Sequence, residues 1–313
     1  MSAPASLHCG LLPLVERRLI IVTGKGGVGK TALSAAMATA YAQAGKRVLA
    51  AEIVPSVDVP SQLHEFLGGP VPEEEPALVS DGLWVALLTP SRGHLRFLQD
   101  TLPLRVLADA AMRSQALRKF LSAAPGFSDM GVMYGMLDLL RRPHPSGGPM
   151  FEICIVDSPA TGHALALAQI PEFLTRVIPK GPIFRAADEG VRILTDPAMT
   201  ACVVVTLPET LPVTEAIELE KGLAKHGLKV SAIVINRVPV DPFSGEERSA
   251  LGSLLGQASP HVFGQRELRR IERADAALAM VRDRYAQPTE RLPEVGGEGP
   301  EVTRALAALL RQP

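Results

Sequence analysis

Eight residues, Gly24-Lys25-Gly26-Gly27-Val28-Gly29-Lys30-Thr31, stand between the apolar run 19–22 and an alanine-rich stretch over 31–43. They fit G-x-x-x-x-G-K-[ST], a loop that cradles phosphate after a strand and at the start of a helix. Its glycines let successive backbone N–H groups converge on phosphate oxygens, and the helix N-terminus adds partial positive charge. Lys30 supplies a mobile cation for the β/γ-phosphates, and the Thr31 hydroxyl is a ligand for Mg²⁺. The nucleotide-binding set therefore begins as Gly26, Gly27, Val28, Gly29, Lys30, Thr31 and Ala32. The same letters also satisfy G-x-G-x-x-G, with Glu52 placed as a ribose-binding acid. Lys30-Thr31 decides for phosphate, because a dinucleotide turn has no use for a cation and a hydroxyl there.

A strand–loop–helix opening implies an α/β chain, and the rest of the sequence keeps that rhythm. Short apolar runs at 47–51, 83–88, 151–156, 201–206 and 230–235 alternate with helical patterns. Runs apolar at consecutive positions suit strands buried on both faces. The expected architecture is a doubly wound, mostly parallel sheet in a single domain over 1–313. Gly45 stands where a C′ glycine would end the first helix. Between 91 and 142 there is no strand-like run, so this stretch reads as a helical insertion. Its Met112, Met130, Met133 and Met136 suit either an adaptable apolar groove serving as an output surface or plain core. Pro143-His-Pro-Ser-Gly-Gly-Pro149 is a loop. Over 263–313 the expectation is C-terminal helices and an edge strand of the same domain. There Leu268, Ile271, Ala274, Leu278, Val281 and Tyr285 make one amphipathic helix with a solvated basic face.

Composition narrows the function. With 32 basic and 33 acidic residues the net charge is −1, and the aromatic residues are only Phe 9, Tyr 3 and Trp 1. Neither a basic field nor stacking platforms point to nucleic acid. The first fifteen residues lack a basic start, and no apolar run approaches the roughly 20 residues of a membrane span. The expected location is the cytoplasm. Cys9, Cys154 and Cys202 include no C-x-x-C, so no zinc site is expected.

Two further segments carry chemistry. The run 151–156 ends in Asp157, a carboxylate placed to hold Mg²⁺. Ser158-Pro-Ala-Thr-Gly162-His163 follows, and Gly162 permits close backbone approach to a terminal phosphate. The run 230–235 leads into Asn236-Arg237, and a side-chain amide offers one donor and one acceptor.

Lys25, directly after the first glycine, is more than an ordinary phosphate loop needs. With K-G-G-x-G-K-[ST] the sequence resembles the ArsA-type ATPases, which include arsenite-pump ATPases and ATPases that target tail-anchored membrane proteins. The segment Asp157–His163 resembles that family's D-T-A-P-T-G-H with the middle Ala and Pro exchanged, and 204–215 resembles its V-T-L-P-E-x-x-P-V-x-E. The resemblance runs from about residue 19 to 238. It implies ATP and Mg²⁺ as cofactors, a nucleotide-sandwich dimer (homodimer or heterodimer with a related ATPase), and Lys25 acting across the interface. It also implies Asn236, beside Arg237, on the adenine, and a protein client or membrane partner.

The chain departs from that family after its second strand. Where the family has D-P-A-x-S, with an aspartate that orients the attacking water, this sequence has Val54 and Pro55. Glu52 and Asp58 are the carboxylates near enough to substitute, and Glu52 joins Lys25, Lys30 and Asp157 as a candidate catalytic residue. The leading expectation is an Mg²⁺–ATP-dependent dimeric ATPase with weak turnover. The alternatives are a catalytically weak subunit paired with an active homologue, and a positioning ATPase of the MinD or partition kind.

Overall fold

The computed structural model describes residues 12–72, 75–102, 108, 112–115, 126–159, 162–256, 265–285 and 288–311. Eight strands form one sheet: β1 (Leu19–Gly24), β2 (Val48–Ile53), β3 (Ala77–Ser80), β4 (Leu83–Leu88), β5 (Ile153–Asp157), β6 (Thr200–Thr206), β7 (Val230–Val238) and β8 (Thr289–Pro293). Their order is β3-β4-β2-β5-β1-β6-β7-β8. All neighbours are parallel except β3, which runs antiparallel to β4. The expected doubly wound, mostly parallel α/β sheet is what the chain forms.

Consecutive apolar residues within a strand serve two cores. Leu19 and Ile21 of β1 belong to one, Ile20 and Val22 to the other. On the second face lie the helices α1 (Lys30–Gln43), α2 (Gln62–Leu67) and, from the far end of the chain, α10 (Pro300–Leu310). The first face is covered by α4 (Phe127–Arg141), α5 (Gly162–Val177), α6 (Pro182–Thr195), α7 (Thr210–Lys225) and α9 (Gln265–Arg284), with α3 (Pro90–Thr101) packed on α4. The remaining helix is α8 (Gly245–Gly256). Small residues permit close crossing of α3 and α4, for a Cβ on Gly93 would stand 1.6 Å from the Gly131 carbonyl oxygen.

Several sequence readings are refined. Strand β5 starts at Ile153, and Phe151 before it packs edge-on against Trp84, their ring centroids 5.5 Å apart. Strand β3 was not expected: it has only four residues, alternately half-buried and exposed, and follows an acidic, proline-containing stretch. Its signal was Asp81-Gly82, a two-residue hairpin turn with Gly82 at φ 71°. Met130, Met133 and Met136 are 4%, 0% and 1% exposed and pack into the core between α4 and the sheet. The groove reading of these three is therefore corrected to core; Met112 is half-buried. The rest of 103–125, and Cys9, lie outside the described residues.

Candidate functional site

The site lies at the carboxyl ends of the central strands, where open α/β sheets bind ligands. Gly24 ends β1 at φ 149°, and a Cβ there would stand 2.2 Å from the Val205 carbonyl oxygen of β6. Only glycine lets the loop leave so close to its neighbour strand. At the loop's other end Gly29 is left-handed (φ 90°, ψ 28°) and serves as the N-cap of α1 without a side-chain cap. The first amides of α1 are thus free of a capping side chain.

Lys30 is buried and its Nζ donates to the Lys25 carbonyl oxygen at 2.8 Å. Burial holds its pKa below the usual lysine value, against the opposing pull of Asp157. Thr31 Oγ1 donates to Asp157 Oδ2 at 2.7 Å, and Ser34 Oγ donates to Asp157 Oδ1 at 3.1 Å. Burial is the main cause that pushes the Asp157 carboxyl up to about 6; Glu52 adds to the shift, while the two hydroxyls and Lys30 oppose it. Such a carboxylate is short of positive charge, which a divalent cation would supply. The residues therefore fit a magnesium–phosphate group. Gly26 and Gly27 have open space where a Cβ would project, and Ser158 Oγ, next to Asp157, is buried with no partner.

Glu52 pairs in register with Asp157 across β2 and β5. Its Oε2 accepts from Ser61 Oγ at 2.5 Å and from the Leu63 amide at 3.1 Å. Val54 is 4% exposed and its amide donates to the Leu88 carbonyl oxygen, so it packs as an apolar residue. Asp58 is exposed and accepts from Ser56. Lys25 has a partner within its own chain: Nζ lies 2.5 Å from Glu215 Oε1 of α7. An exposed pair of this kind contributes about 0–1 kcal/mol, so it can exchange partners readily.

Asn236 is buried; its Nδ2 donates to the Val28 carbonyl oxygen at 2.9 Å and its Oδ1 accepts from the Arg237 amide at 2.9 Å. The second bond holds Arg237 at φ 56°, the single left-handed non-glycine among the described residues. Asn236, Arg237, Gly29 and Ala32 line an open cleft of about 400 Å³ together with Phe66, Val302, Leu306 and residues of the loop from Glu294 to Gly299. Gly162 opens α5; residues 160–161 before it lie outside the described residues.

Sequence reasoning missed Ser34, Phe66 and the 294–299 loop. Ser34 was findable, three residues after Thr31 on the same helix face. The 294–299 loop carries only a Gly-Gly-Glu-Gly-Pro turn signal, and nothing local marks Phe66 as its neighbour. The two strand cysteines are buried and free, and burial pushes both thiols up to about 12. They stand on β5 and β6 with β1 between, Cys154 level with Leu19 and Cys202 with Ile21. Two strand spacings, roughly 9–10 Å, keep them from sharing a ligand or a bridge. Among the described residues there is no cluster of His, Cys, Asp or Glu able to hold a metal by itself, and no helix is long and apolar enough to cross a membrane.

A phosphate-loop sequence with a doubled lysine, a strand-end aspartate tied to its threonine, and an open cleft beside β7 define the fold of a P-loop NTPase. The family described as anion-transporting ATPase (ArsA) matches residues 17–187 and 182–247, and the chain belongs to this family. It is similar to ATPase BagA of Mycobacterium tuberculosis, 30% identical over 222 residues, which are 70% of this chain and 65% of that one. The arsenical pump-driving ATPase of Escherichia coli is 27% identical over 260 residues, covering 76% of this chain and 42% of the relative. ATPase GET3 of Eremothecium gossypii is 25% identical over 270 residues, 75% of each. The chain thus spans a little under two thirds of the mycobacterial relative's length.

Proposed function

We propose that this protein binds Mg²⁺–ATP, hydrolyses it slowly, and uses nucleotide-driven dimer closure to act on a protein client or a membrane partner. The observation that carries the reading is the Thr31–Asp157–Ser34 cluster beside the desolvated Lys30. Magnesium held by Thr31 and Asp157 would supply charge neutralisation to the phosphates. The chain does the rest by positioning. Backbone amides of 26–31 hold phosphate oxygens, Lys30 turns from the Lys25 carbonyl to the phosphates, and Thr31 and Asp157 hold the metal side. Gly162 follows the terminal phosphate, and Asn236 with Arg237 orients the base. Lys25 leaves Glu215 and reaches the nucleotide of a second subunit, either an identical chain or a related ATPase.

Slow turnover follows from the second strand. Val54 cannot orient water, and Glu52 is already engaged by Ser61 and the Leu63 amide. The same observation favours a second reading, a nucleotide-gated subunit that pairs with an active homologue. Calorimetric titration with Mg²⁺–ATP, with Lys30→Ala as control, tests the first statement; binding of NAD in place of ATP would overturn it. Sedimentation with a non-hydrolysable ATP analogue tests closure, and a strict monomer in every nucleotide state, with a candidate partner added, would count against it.

A further inference from the structure

Glu52 is 8% exposed at the end of a central strand, yet among the described residues it makes no hydrogen bond to the phosphate loop. Its carboxylate faces the start of α2. There one oxygen, Oε2, accepts from both Ser61 Oγ and the Leu63 amide. Ser61 is the N-cap of α2, and its Oγ in turn accepts from the His64 amide at 3.0 Å. The other end of this short helix is tied just as firmly, since Thr303 Oγ1 of α10 donates to the Phe66 carbonyl oxygen at 2.7 Å. Leu63, fully buried, pins the middle. Phe66 lines the same cleft as Asn236 and Arg237, with Val302 and Leu306.

A cleft that presents apolar side chains beside a side-chain amide discriminates between bases only if its walls are held in place. Six residues of helix cannot hold themselves, because helix nucleation is unfavourable at that length. The anchors must come from outside the helix, and the one at its N-terminus is Glu52.

We propose that Glu52 is a positioning residue that sets base specificity: by anchoring the N-terminus of α2 it holds Phe66 against the base cleft, so that adenine recognition depends on a carboxylate buried beside the phosphate site. The proposal rests on the nucleotide reading above and assigns Glu52 a role other than orienting water.

The test is calorimetric titration of wild type, Glu52→Ala and Glu52→Gln with Mg²⁺–ATP, Mg²⁺–GTP and magnesium triphosphate. Wild type is expected to prefer ATP over GTP. In Glu52→Ala that preference should fall about tenfold, the size of one lost anchoring interaction, while triphosphate affinity changes less than about threefold. Glutamine keeps an acceptor oxygen for Ser61 and Leu63, so Glu52→Gln should restore the preference to within about threefold of wild type. A preference unchanged in Glu52→Ala, an equal loss for triphosphate, no rescue by glutamine, or a wild type that does not discriminate would each overturn the proposal. If Glu52→Ala does not fold, Ser61→Ala and Phe66→Ala must show the same selective loss. A wild type that binds none of the three ligands refutes the nucleotide reading itself, which separates the two failures.

Discussion

Replacing Gly29 by alanine should damage this protein more than replacing Gly26, although both lie in the same loop. Gly29 is left-handed, and a Cβ built on it would stand 2.3 Å from Asn236 Nδ2, well inside contact distance. The left-handed backbone costs an alanine about 1–2 kcal/mol. Moving Asn236 breaks its bond to the Val28 carbonyl and leaves buried polar groups unpaired, about 1–3 kcal/mol more. The sum is a loss of about 2–5 kcal/mol. Gly26 lies outside the left-handed region, with nothing within 4 Å of a built Cβ. Gly26→Ala should therefore stay within about 0.5 kcal/mol of wild type. Urea unfolding of the ligand-free proteins, followed by far-UV circular dichroism, reads both values. If Gly29→Ala is as stable as Gly26→Ala, the packing of the loop against Asn236 is not as described.

The remaining expectations concern the metal side and the thiols. Because Asp157 is pushed from 3.8 up to about 6 in the folded chain, the folded state holds its proton longer than the unfolded one. That contribution is fully present below about pH 4 and is lost as pH rises through about 6, a fall of about 3 kcal/mol. Metal-free Asp157→Asn should show a flatter stability profile across that window and exceed wild type at pH 7.5; parallel profiles would refute the assignment. Val54→Asp should raise steady-state ATP turnover by about 10²–10⁴-fold if a water-orienting carboxylate is what the wild type lacks. Brisk wild-type turnover that the substitution leaves unchanged would refute this. Cys154 and Cys202 should resist iodoacetamide at pH 8 until the protein unfolds, and Cys154→Ala with Cys202→Ala should leave zinc and arsenite content unchanged by elemental analysis.

The phosphate loop and strand-end Asp157 were legible because their chemistry is local: each is a run of neighbours whose composition has one good use. The parallel strands were legible because burial on two faces writes itself as consecutive apolar residues. Glu52 was legible as a nearby carboxylate and no further. Its partners Ser61 and Leu63 lie nine and eleven residues on, across a turn that leaves no periodic trace. The cleft beside β7 was half legible, since Asn236 sits on its strand while Phe66 and the 294–299 loop are brought together by the packing of α2 on α10. Lys25 shows the opposite case. The doubled lysine was plain in the sequence, but its ion pair with a glutamate 190 positions away needed the fold.

Strand β1 lies in the interior of the sheet, yet it is the first strand in the chain, and β8 at the far edge is the last. Groups lining the cleft beside β7 come from the loop after β1 and from α1, α2, β7 itself, the loop after β8 and α10, so a nascent chain has no complete cleft until it has passed Leu306. A nucleotide bound there, as proposed, would be a ligand of the finished sheet and of no partial one. By mass action it should raise the free energy of global unfolding far more than that of local fraying. Limited proteolysis during synthesis or refolding would register its presence only at the last step, which makes occupancy of this cleft a check that the whole sheet has closed.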